Sequence, residues 1–256
     1  MSTFGLYARY YDLLYKDKDY GVEAAYIDSL IRAHAPQAQS IIELGCGTGA
    51  HAEHFARMGY RIDGIDLSEQ MLASAEARKS GLPADLAGKL SFAKGDVRTW
   101  DSGKTYDVVL SLFHVFSYQV SNADLLSAFE TAARHLVPGG ILIFDFWHGP
   151  GVMSDKPAVR VKRLSDEQIQ VTRIAEPELF PAENRVRVNY LVLIDANSGG
   201  ASERVNEQHD MRYLFVPEIQ QMSSPWFEPL AFMGWMSDDL PGCSDWVAAC
   251  VLKRKP

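Results

Sequence analysis

The chain has 256 residues, of which 47% are hydrophobic and 23% are charged, and its formal net charge is −8 at neutral pH. This size and composition predict a globular protein built around one α/β domain with room for a modest insertion. The acidic balance disfavours general binding to nucleic acid or to an anionic membrane, while leaving room for a local basic patch.

The cysteine content and the first residues indicate the compartment. Cys46, Cys243 and Cys250 form an odd set without the spacing of a disulfide framework, which favours reducing surroundings. Residues 1–20 are aromatic and charged, unlike the basic and then apolar pattern of a signal peptide. The longest apolar runs are too short to cross a bilayer. We therefore expect a cytoplasmic protein without a membrane partner.

Strand and helix patterns alternate regularly in the first 150 residues. Aromatic side chains crowd residues 1–20, and an amphipathic helix is predicted at 23–34. Predicted strands follow at 40–44, 61–66, 90–94, 106–112 and 141–146, with helices at 51–58, 69–79 and 122–136 and a turn at Pro138-Gly139-Gly140. This rhythm predicts a doubly wound parallel sheet in an α/β fold.

The pattern changes after Trp147. Shorter alternating segments, with strands predicted at 185–194 and 204–215 around a turn at 197–200, indicate an antiparallel β subdomain. A short helix at 217–224 and two strands at 227–235 and 244–253 then complete the main sheet. The sequence thus predicts an N-terminal arm and helix at 1–36, a core at 37–150 and 217–256, and a β insertion at 151–216 that binds an acceptor or a second subunit.

The first strand runs into a glycine-rich loop, which is the strongest signal in the chain. Gly45, Gly47 and Ala50 satisfy the dinucleotide fingerprint G-x-G-x-x-G/A. Glu43 with Gly45, Gly47 and Gly49 satisfies the acid-x-G-x-G-x-G pattern of S-adenosylmethionine sites. Glycine permits sharp turns and close approach of a ligand to the backbone. The loop alone leaves both cofactors open.

Residues downstream separate the two cofactors. Asp66 ends the second strand, where a carboxylate accepts ribose hydroxyls, and Asp96 follows the third. Asp107 opens the fourth strand, and the Tyr-x-x-x-Lys pair of short-chain reductases is absent. Over residues 40–146 this ordered set resembles the class I S-adenosylmethionine-dependent methyltransferases.

The resemblance implies a Rossmann-like seven-stranded sheet with a reversed final hairpin. It implies S-adenosyl-L-methionine as cofactor and S-adenosyl-L-homocysteine as product. The cofactor-binding residues that we predict are Tyr15, Tyr20, Glu43, Gly45, Cys46, Gly47, Gly49, Asp66, Leu67, Met71, Asp96, Val97 and Leu112. Simpler roles remain open for three of these acids: Asp66 as a helix cap, Asp96 as a turn residue, and Glu43 as a partner of backbone amides or of a helix N-terminus.

Aromatic and polar residues mark the ends of the fourth and fifth strands. In open α/β sheets, ligands lie beyond the carboxyl ends of the strands. We therefore expect His114, Tyr118, Trp147 and His148 on the acceptor side, with structural histidines as the alternative.

A closer resemblance rests on the tyrosine arm Tyr11–Tyr15, the loop through His51, Gly95–Arg98 and the Leu112-Phe113 turn. These segments resemble N-methyltransferases of nucleotide-linked amino sugars. The resemblance implies that Tyr11 and Tyr118 line the acceptor site, and we predict Tyr11, His114, Tyr118 and His148 as catalytic. Trp147, Arg160, Arg163 and Arg212 are predicted to bind substrate, since arginine suits diphosphate oxygens.

Two alternatives to this function stay open. One is an O- or N-methyltransferase acting on another small metabolite; a hydroxyl acceptor needs a firmer base, for which His114 or His148 is suited. The other is a non-catalytic S-adenosylmethionine-binding partner subunit. We expect no metal, because His51 and His54 lack a third ligand, no nucleic acid partner, and a monomer or homodimer.

Overall fold

The computed structural model describes residues 13–14, 18–197 and 202–256. These residues form two compact units. One comprises Tyr20–Asp155 and Tyr213–Pro256, and the other contains Lys156–Arg212 with the described residues before Tyr20. Among the described residues, no helix has both the length and the apolar character needed to cross a membrane. The functional division of the chain given above stays a prediction.

The described helices and strands follow one another in nearly the order that the sequence predicts. In chain order they are α1 (Tyr20–His34), β1 (Ser40–Leu44), α2 (Ala50–Met58), β2 (Arg61–Asp66), α3 (Glu69–Ser80), α4 (Ala84–Ala87), β3 (Leu90–Lys94), β4 (Tyr106–Ser111), α5 (Asn122–Arg134), β5 (Leu136–Trp147), α6 (Gly149–Ser154), β6 (Arg160–Ser165), β7 (Ile169–Phe180), β8 (Arg185–Ala196), β9 (Glu203–Arg212), α7 (Val216–Ser223), β10 (Phe227–Gly234) and β11 (Val247–Arg254), with 3₁₀ turns at Val115–Tyr118 and Pro181–Glu183.

The larger unit is built on a seven-stranded sheet in the order β3-β2-β1-β4-β5-β11-β10. The first five strands are parallel, and β11 runs antiparallel to both β5 and β10. The predicted methyltransferase-type sheet with its reversed final hairpin is confirmed. The strand order reverses between β1 and β4, which is the point where open α/β sheets bind ligands.

Both faces of this sheet are covered, which explains why its central strands are apolar throughout. Val108 and Leu110 of β4 pack with α1 and α2 on one face. Val109, between them, packs with α5 on the other face. Successive side chains of a strand point to opposite faces, so a strand buried on both sides has no polar alternation.

The prediction of a turn at Pro138-Gly139-Gly140 is wrong, because these residues lie inside β5. Leu136, before them, pairs with Tyr106 of β4, and the register shifts before Val108. Gly139 absorbs this irregularity with a left-handed φ of 79°. Glycine therefore serves here as a bulge within a strand, which its sequence context does not distinguish from a turn.

The smaller unit contains a four-stranded antiparallel sheet in the order β6-β7-β8-β9. Its apolar side chains form a separate cluster that includes Ile169, Val171, Val192 and Ile194. The predicted antiparallel insertion after the fifth strand is confirmed. Most of the turn predicted at 197–200 lies outside the described residues.

Candidate functional site

The glycine loop between β1 and α2 has a backbone that only glycine adopts without strain. Gly45, Gly47 and Gly49 have φ values of 80°, 53° and 70°. A Cβ on Gly45 would lie 2.5 Å from Cγ2 of Val115, and one on Gly49 would lie 2.8 Å from Cζ of Phe92. The loop thus packs directly against the turn that follows β4. Two of its three glycines are required by space as well as by conformation.

Asp66, at the end of β2, holds this loop in place. Its Oδ2 accepts the N–H of Gly47 at 2.9 Å, and its Oδ1 accepts the N–H of Ser68 at 2.8 Å. Ser68 in turn caps α3 by accepting the N–H of Met71. Each carboxylate oxygen has a second lone pair, so Asp66 retains capacity to accept ligand hydroxyls.

Glu43 is a buried acid at the end of β1, with 1% of its surface exposed. Burial, and then the nearby Asp66, raise its pKa to about 8. Its Oε1 lies 3.8 Å from Nδ1 of His51, whose Nε2 lies 2.8 Å from Oε2 of Glu23. The Oε2 atom of Glu43 makes no hydrogen bond among the described residues.

The chemistry of these groups fits S-adenosylmethionine. The raised pKa leaves Glu43 mainly protonated at neutral pH in the ligand-free protein, and a cation bound beside it would favour the ionised form. S-adenosylmethionine carries both an ammonium and a sulfonium. Glu43 and Asp66 supply two carboxylates beside a loop that allows close approach. A dinucleotide would bring an anionic pyrophosphate to the same place, next to the Glu43 carboxylate, and is a poorer match.

The other predicted cofactor residues differ in exposure. Cys46, Val97 and Leu112 are buried, whereas Leu67 is exposed. Burial, and then the charge of Glu43, raise the pKa of the Cys46 thiol, so this cysteine is not a thiolate nucleophile. It remains a prediction that the cofactor contacts Cys46, Leu67, Val97 and Leu112.

Asp96, after β3, is already paired with a cation. Its Oδ2 lies 2.6 Å from Nη2 of Arg98, whose Nη1 also reaches Asp124 at 3.0 Å. The hydrogen bonds from Arg98 lower the pKa of Asp96. The predicted contact between Asp96 and the cofactor stays a prediction, and the cofactor would have to share this carboxylate with Arg98.

The turn after β4 contains two consecutive non-glycine residues in the left-handed region. Phe113 and His114 have φ values of 67° and 66°, a conformation that is costly for residues with a Cβ and is concentrated at functional sites. The N–H of His114 donates to Oδ1 of Asp145 at 3.1 Å. The Nδ1 atom of His114 lies 2.6 Å from Oδ2 of the same carboxylate.

Aromatic side chains lie beside this histidine. The ring of Trp147 is centred 6.3 Å from that of His114 and 5.3 Å from that of Trp246. The N–H of Trp147 donates to Oγ of Ser117, which joins the end of β5 to the turn after β4. Tyr118, in the same turn, is 45% exposed. The structure therefore brings His114 and Trp147 together, as the sequence predicts.

His148 is placed differently from His114. It is only 3% exposed, and its Nδ1 lies 3.1 Å from the carbonyl oxygen of Asp245. Burial lowers its pKa, which favours the neutral ring. These surroundings match the structural alternative given for this histidine, while its predicted catalytic role stays untested.

The remaining predicted residues lie elsewhere. Tyr11 and Tyr15 lie outside the described residues, and Tyr20 begins α1, where its ring packs edge-on against His51 at 4.9 Å. In the smaller unit, Arg160 and Arg163 are exposed on β6 and Arg212 is buried at the end of β9. Within the described part of the chain, no group of three or more His, Cys, Asp or Glu side chains is arranged to hold a metal ion.

Two acids of this region were not predicted from the sequence: Asp145, which contacts His114, and Glu23, which contacts His51. Asp145 is flanked by Phe144 and Phe146 in a strand that is buried on both faces. A buried acid lowers the stability of the fold unless it is paired or hydrogen-bonded. The position of Asp145 between two phenylalanines was therefore the sequence signal for a partner. Glu23 gives no comparable signal, because an acid in the first turn of a helix is ordinary.

A family model described as a methyltransferase domain matches residues 41–140. The chain is 35% identical over 151 residues to a dTDP-3-amino-3,4,6-trideoxy-alpha-D-glucopyranose N,N-dimethyltransferase of Streptomyces venezuelae, covering 58% of this chain and 60% of that protein. It is 30% identical over 190 residues to a dTDP-3-amino-3,6-dideoxy-alpha-D-glucopyranose N,N-dimethyltransferase of Streptomyces fradiae, covering 73% and 71% of the two chains.

A solved structure gives a similar result over nearly the whole length. An amino pentose methyltransferase from Micromonospora echinaspora, determined with S-adenosylmethionine bound, superposes with a TM-score of 0.74 at 25% identity. The superposition covers 96% of each chain.

Proposed function

Because this chain belongs to the family of S-adenosylmethionine-dependent methyltransferases that includes the dTDP-amino-sugar N,N-dimethyltransferases, we propose that it methylates the amine of a nucleotide-linked amino sugar. The observation that carries the donor half of this proposal is the buried Glu43 carboxylate, with an unpartnered oxygen, beside the glycine loop. The acceptor half is supported by the names of the relatives.

The residues around the loop would hold the donor. Asp66 accepts ribose hydroxyls, and Glu43 pairs with the ammonium. The glycine loop supplies a tight backbone turn beside these two acids. S-adenosylmethionine, when bound, supplies an electrophilic methyl group on a positively charged sulfur. The protein contributes binding and orientation rather than covalent chemistry, and such positioning accounts for a large share of the barrier reduction.

Residues at the neighbouring strand ends would hold the acceptor. His114, Trp147 and Tyr118 lie in or beside the turn after β4, which packs against the glycine loop through Val115. They orient the amine for an in-line displacement and conduct its proton away. Tyr11, which is outside the described residues, is proposed to act on the acceptor because of the family resemblance.

The arginines of the smaller unit would bind the diphosphate of the acceptor. Arg160 and Arg163 are both exposed on β6, and a guanidinium group suits the oxygens of an anionic group. Arg212 is assigned to the same role. Replacement of Arg163 by glutamine should raise the KM for a nucleotide-linked acceptor and leave the affinity for S-adenosylhomocysteine unchanged.

A second candidate function is methylation of a hydroxyl group. The observation that favours it is the contact between His114 and the buried Asp145 carboxylate, because a carboxylate partner makes a histidine a better base. A neutral amine can attack without first losing a proton, whereas an ammonium group or a hydroxyl must give up its proton before or during the attack.

Two experiments test these proposals in order. Calorimetry with S-adenosylhomocysteine tests the donor site, and the absence of binding at millimolar ligand would contradict the whole proposal. Mass spectrometry then follows methyl incorporation into a dTDP-linked 3-amino sugar and into the matching sugar with a hydroxyl in place of the amine. Methylation of the amine alone supports the first function, and methylation of the hydroxyl alone supports the second.

A further inference from the structure

The carboxylate of Asp145 lies buried beneath the turn that carries His114. Only 1% of the Asp145 side chain is exposed, whereas 21% of the His114 side chain is exposed. The two residues are 31 positions apart, at the ends of neighbouring parallel strands. The acid is thus shielded from solvent, and the histidine faces outward from it.

Both oxygens of this carboxylate are directed to one residue. Oδ1 accepts the backbone N–H of His114 at 3.1 Å, and Oδ2 lies 2.6 Å from the ring nitrogen Nδ1. The ring is at ion-pair distance but is not aligned for a hydrogen bond to Oδ2. Such contacts in ligand-free enzymes often become aligned only in the complex with substrate. The contact at Nδ1 leaves Nε2 as the ring nitrogen directed away from the acid.

The backbone of this turn is strained at two consecutive residues. Phe113 and His114 both have left-handed backbone although each carries a side chain. Glycine at either position would relieve the strain. The next residue, Val115, is in contact with Gly45 of the cofactor loop. His114 is therefore the neighbour in sequence of the residue that packs on the loop proposed to hold the methyl donor.

We propose that Asp145 is a positioning residue that fixes His114 as the Nδ1–H tautomer, so that Nε2 accepts a proton from the methyl acceptor. This inference rests on the proposed methyl transfer. An ammonium acceptor first gives its proton to Nε2, which frees the nitrogen lone pair, whereas a hydroxyl gives up its proton as it attacks. The acceptor heteroatom then forms a bond to the methyl carbon as the carbon–sulfur bond of S-adenosylmethionine breaks. The acceptor proton moves to Nε2, Asp145 stabilises the resulting imidazolium, and neutral S-adenosylhomocysteine is the leaving group.

The pairing defines the class of acceptor. A base held by a buried carboxylate is useful for an acceptor that reaches the site with its proton, which means an ammonium group or a hydroxyl. It adds little for an acceptor that is already a free nucleophile, such as a thiolate or a carboxylate. We therefore assign protonated amines and hydroxyls, not carboxylates or thiolates, to this site.

The test begins with the tautomer of His114, which can be measured without knowing the acceptor. Protein labelled with ¹⁵N at histidine is saturated with S-adenosylhomocysteine, and the ring nitrogens of His114 are assigned by their loss in His114→Gln. The wild-type protein should show Nδ1 protonated and Nε2 unprotonated. In Asp145→Asn the amide can donate to Nδ1, so the tautomer should change to Nε2–H.

Turnover on a dTDP-linked 3-amino sugar supplies the second measurement. In Asp145→Asn, kcat should fall by about 10²-fold, while the KM for the sugar and the affinity for S-adenosylhomocysteine stay within about twofold. Asp107→Asn is the matched control, because Asp107 is a carboxylate at the opposite end of β4 that bonds to Ser40. It should lower thermal stability without changing the tautomer or kcat.

The outcomes separate this inference from the proposed function. A wild-type protein that binds S-adenosylhomocysteine but carries His114 as the Nε2–H tautomer overturns the inference, even if Asp145→Asn fails to fold. An unchanged kcat in Asp145→Asn overturns it as well. Failure of the wild-type protein to bind S-adenosylhomocysteine instead overturns the proposed function.

Discussion

Two turns at the same edge of the sheet reach the left-handed region by different means. The loop after β1 uses Gly45, Gly47 and Gly49, whereas the turn after β4 uses Phe113 and His114. Glycine adopts this conformation without a Cβ clash. Each non-glycine residue held there costs about 1–3 kcal/mol unless its surroundings compensate.

The difference indicates what each turn contributes. The first turn contributes backbone, because Gly45 packs closely on Val115 and the N–H of Gly47 donates to Asp66. The second turn contributes a side chain, and Asp145 compensates by accepting the N–H of His114. This distinction can be tested by two exchanges. One introduces glycine into the second turn, and the other introduces a side chain into the first turn.

The largest effect is expected when the second turn is made to resemble the first. His114→Gly relieves the left-handed backbone but removes the imidazole. Turnover on a dTDP-linked 3-amino sugar should fall by about 10²–10⁴-fold, while the free energy of unfolding changes by less than about 1 kcal/mol because strain relief offsets the entropy cost of glycine. Steady-state kinetics and urea denaturation measure the two effects.

Asn184→Gly provides the matched control for this substitution. Asn184 has a φ of 51° and lies between β7 and β8 in the smaller unit. Its replacement relieves the same backbone conformation and should leave turnover unchanged. If His114→Gly retained turnover within about threefold of the wild type, the second turn would not contribute a catalytic side chain.

The converse change adds a side chain to the first turn. Gly45→Ala would place Cβ 2.5 Å from Cγ2 of Val115 at a φ of 80°, so the loop or the turn after β4 must shift. The affinity for S-adenosylhomocysteine should fall by about 10–100-fold, which corresponds to about 1.4–2.8 kcal/mol. Isothermal titration calorimetry measures this loss.

Gly47→Ala separates strain from collision. At Gly47 an added Cβ meets nothing within 4 Å, although φ is 53°, so only the conformational cost applies. Its effect on affinity should be smaller than that of Gly45→Ala. Equal losses in the two variants would show that contact between the two turns does not matter for the cofactor.

The smallest effect is on stability and comes from Glu43. Its pKa is about 8 in the folded protein and 4.5 for the ordinary side chain, so the folded state binds the proton more tightly. Stability in the absence of ligand should therefore fall as the pH rises from about 4.5 to 8, and this contribution should level off above 8. Thermal unfolding should show a decrease of several degrees across this window.

Glu43→Gln should flatten this pH dependence and raise the melting temperature at pH 8. S-adenosylhomocysteine carries the ammonium that we assign to Glu43, so it should stabilise the wild type more than the variant at pH 8. The exposed Glu130→Gln is the control and should leave the pH profile unchanged. If the melting temperature of Glu43→Gln depended on pH as that of the wild type does, burial of Glu43 would not be the cause of the decrease in stability.

Much of the larger unit could be predicted from local patterns. The bounds of β1, β2 and β3 agree with the sequence prediction, because apolar strands ended by acid and glycine residues have few alternatives. The glycine bulge at Gly139 and the short helix α6 were not predicted. Both depend on how a segment meets its neighbours, as in the pairing of Leu136 with Tyr106.

The sequence by itself determined the fold class and the glycine loop, since both follow from chemistry within a few consecutive residues. Only the tertiary structure decided which acid side chain lies next to which histidine. His114 and Asp145 meet because parallel strands bring their carboxyl ends to one edge of the sheet, and Glu43 lies beside His51 because α2 packs beneath the loop. Such pairs depend on strand order and burial, which no local spacing records.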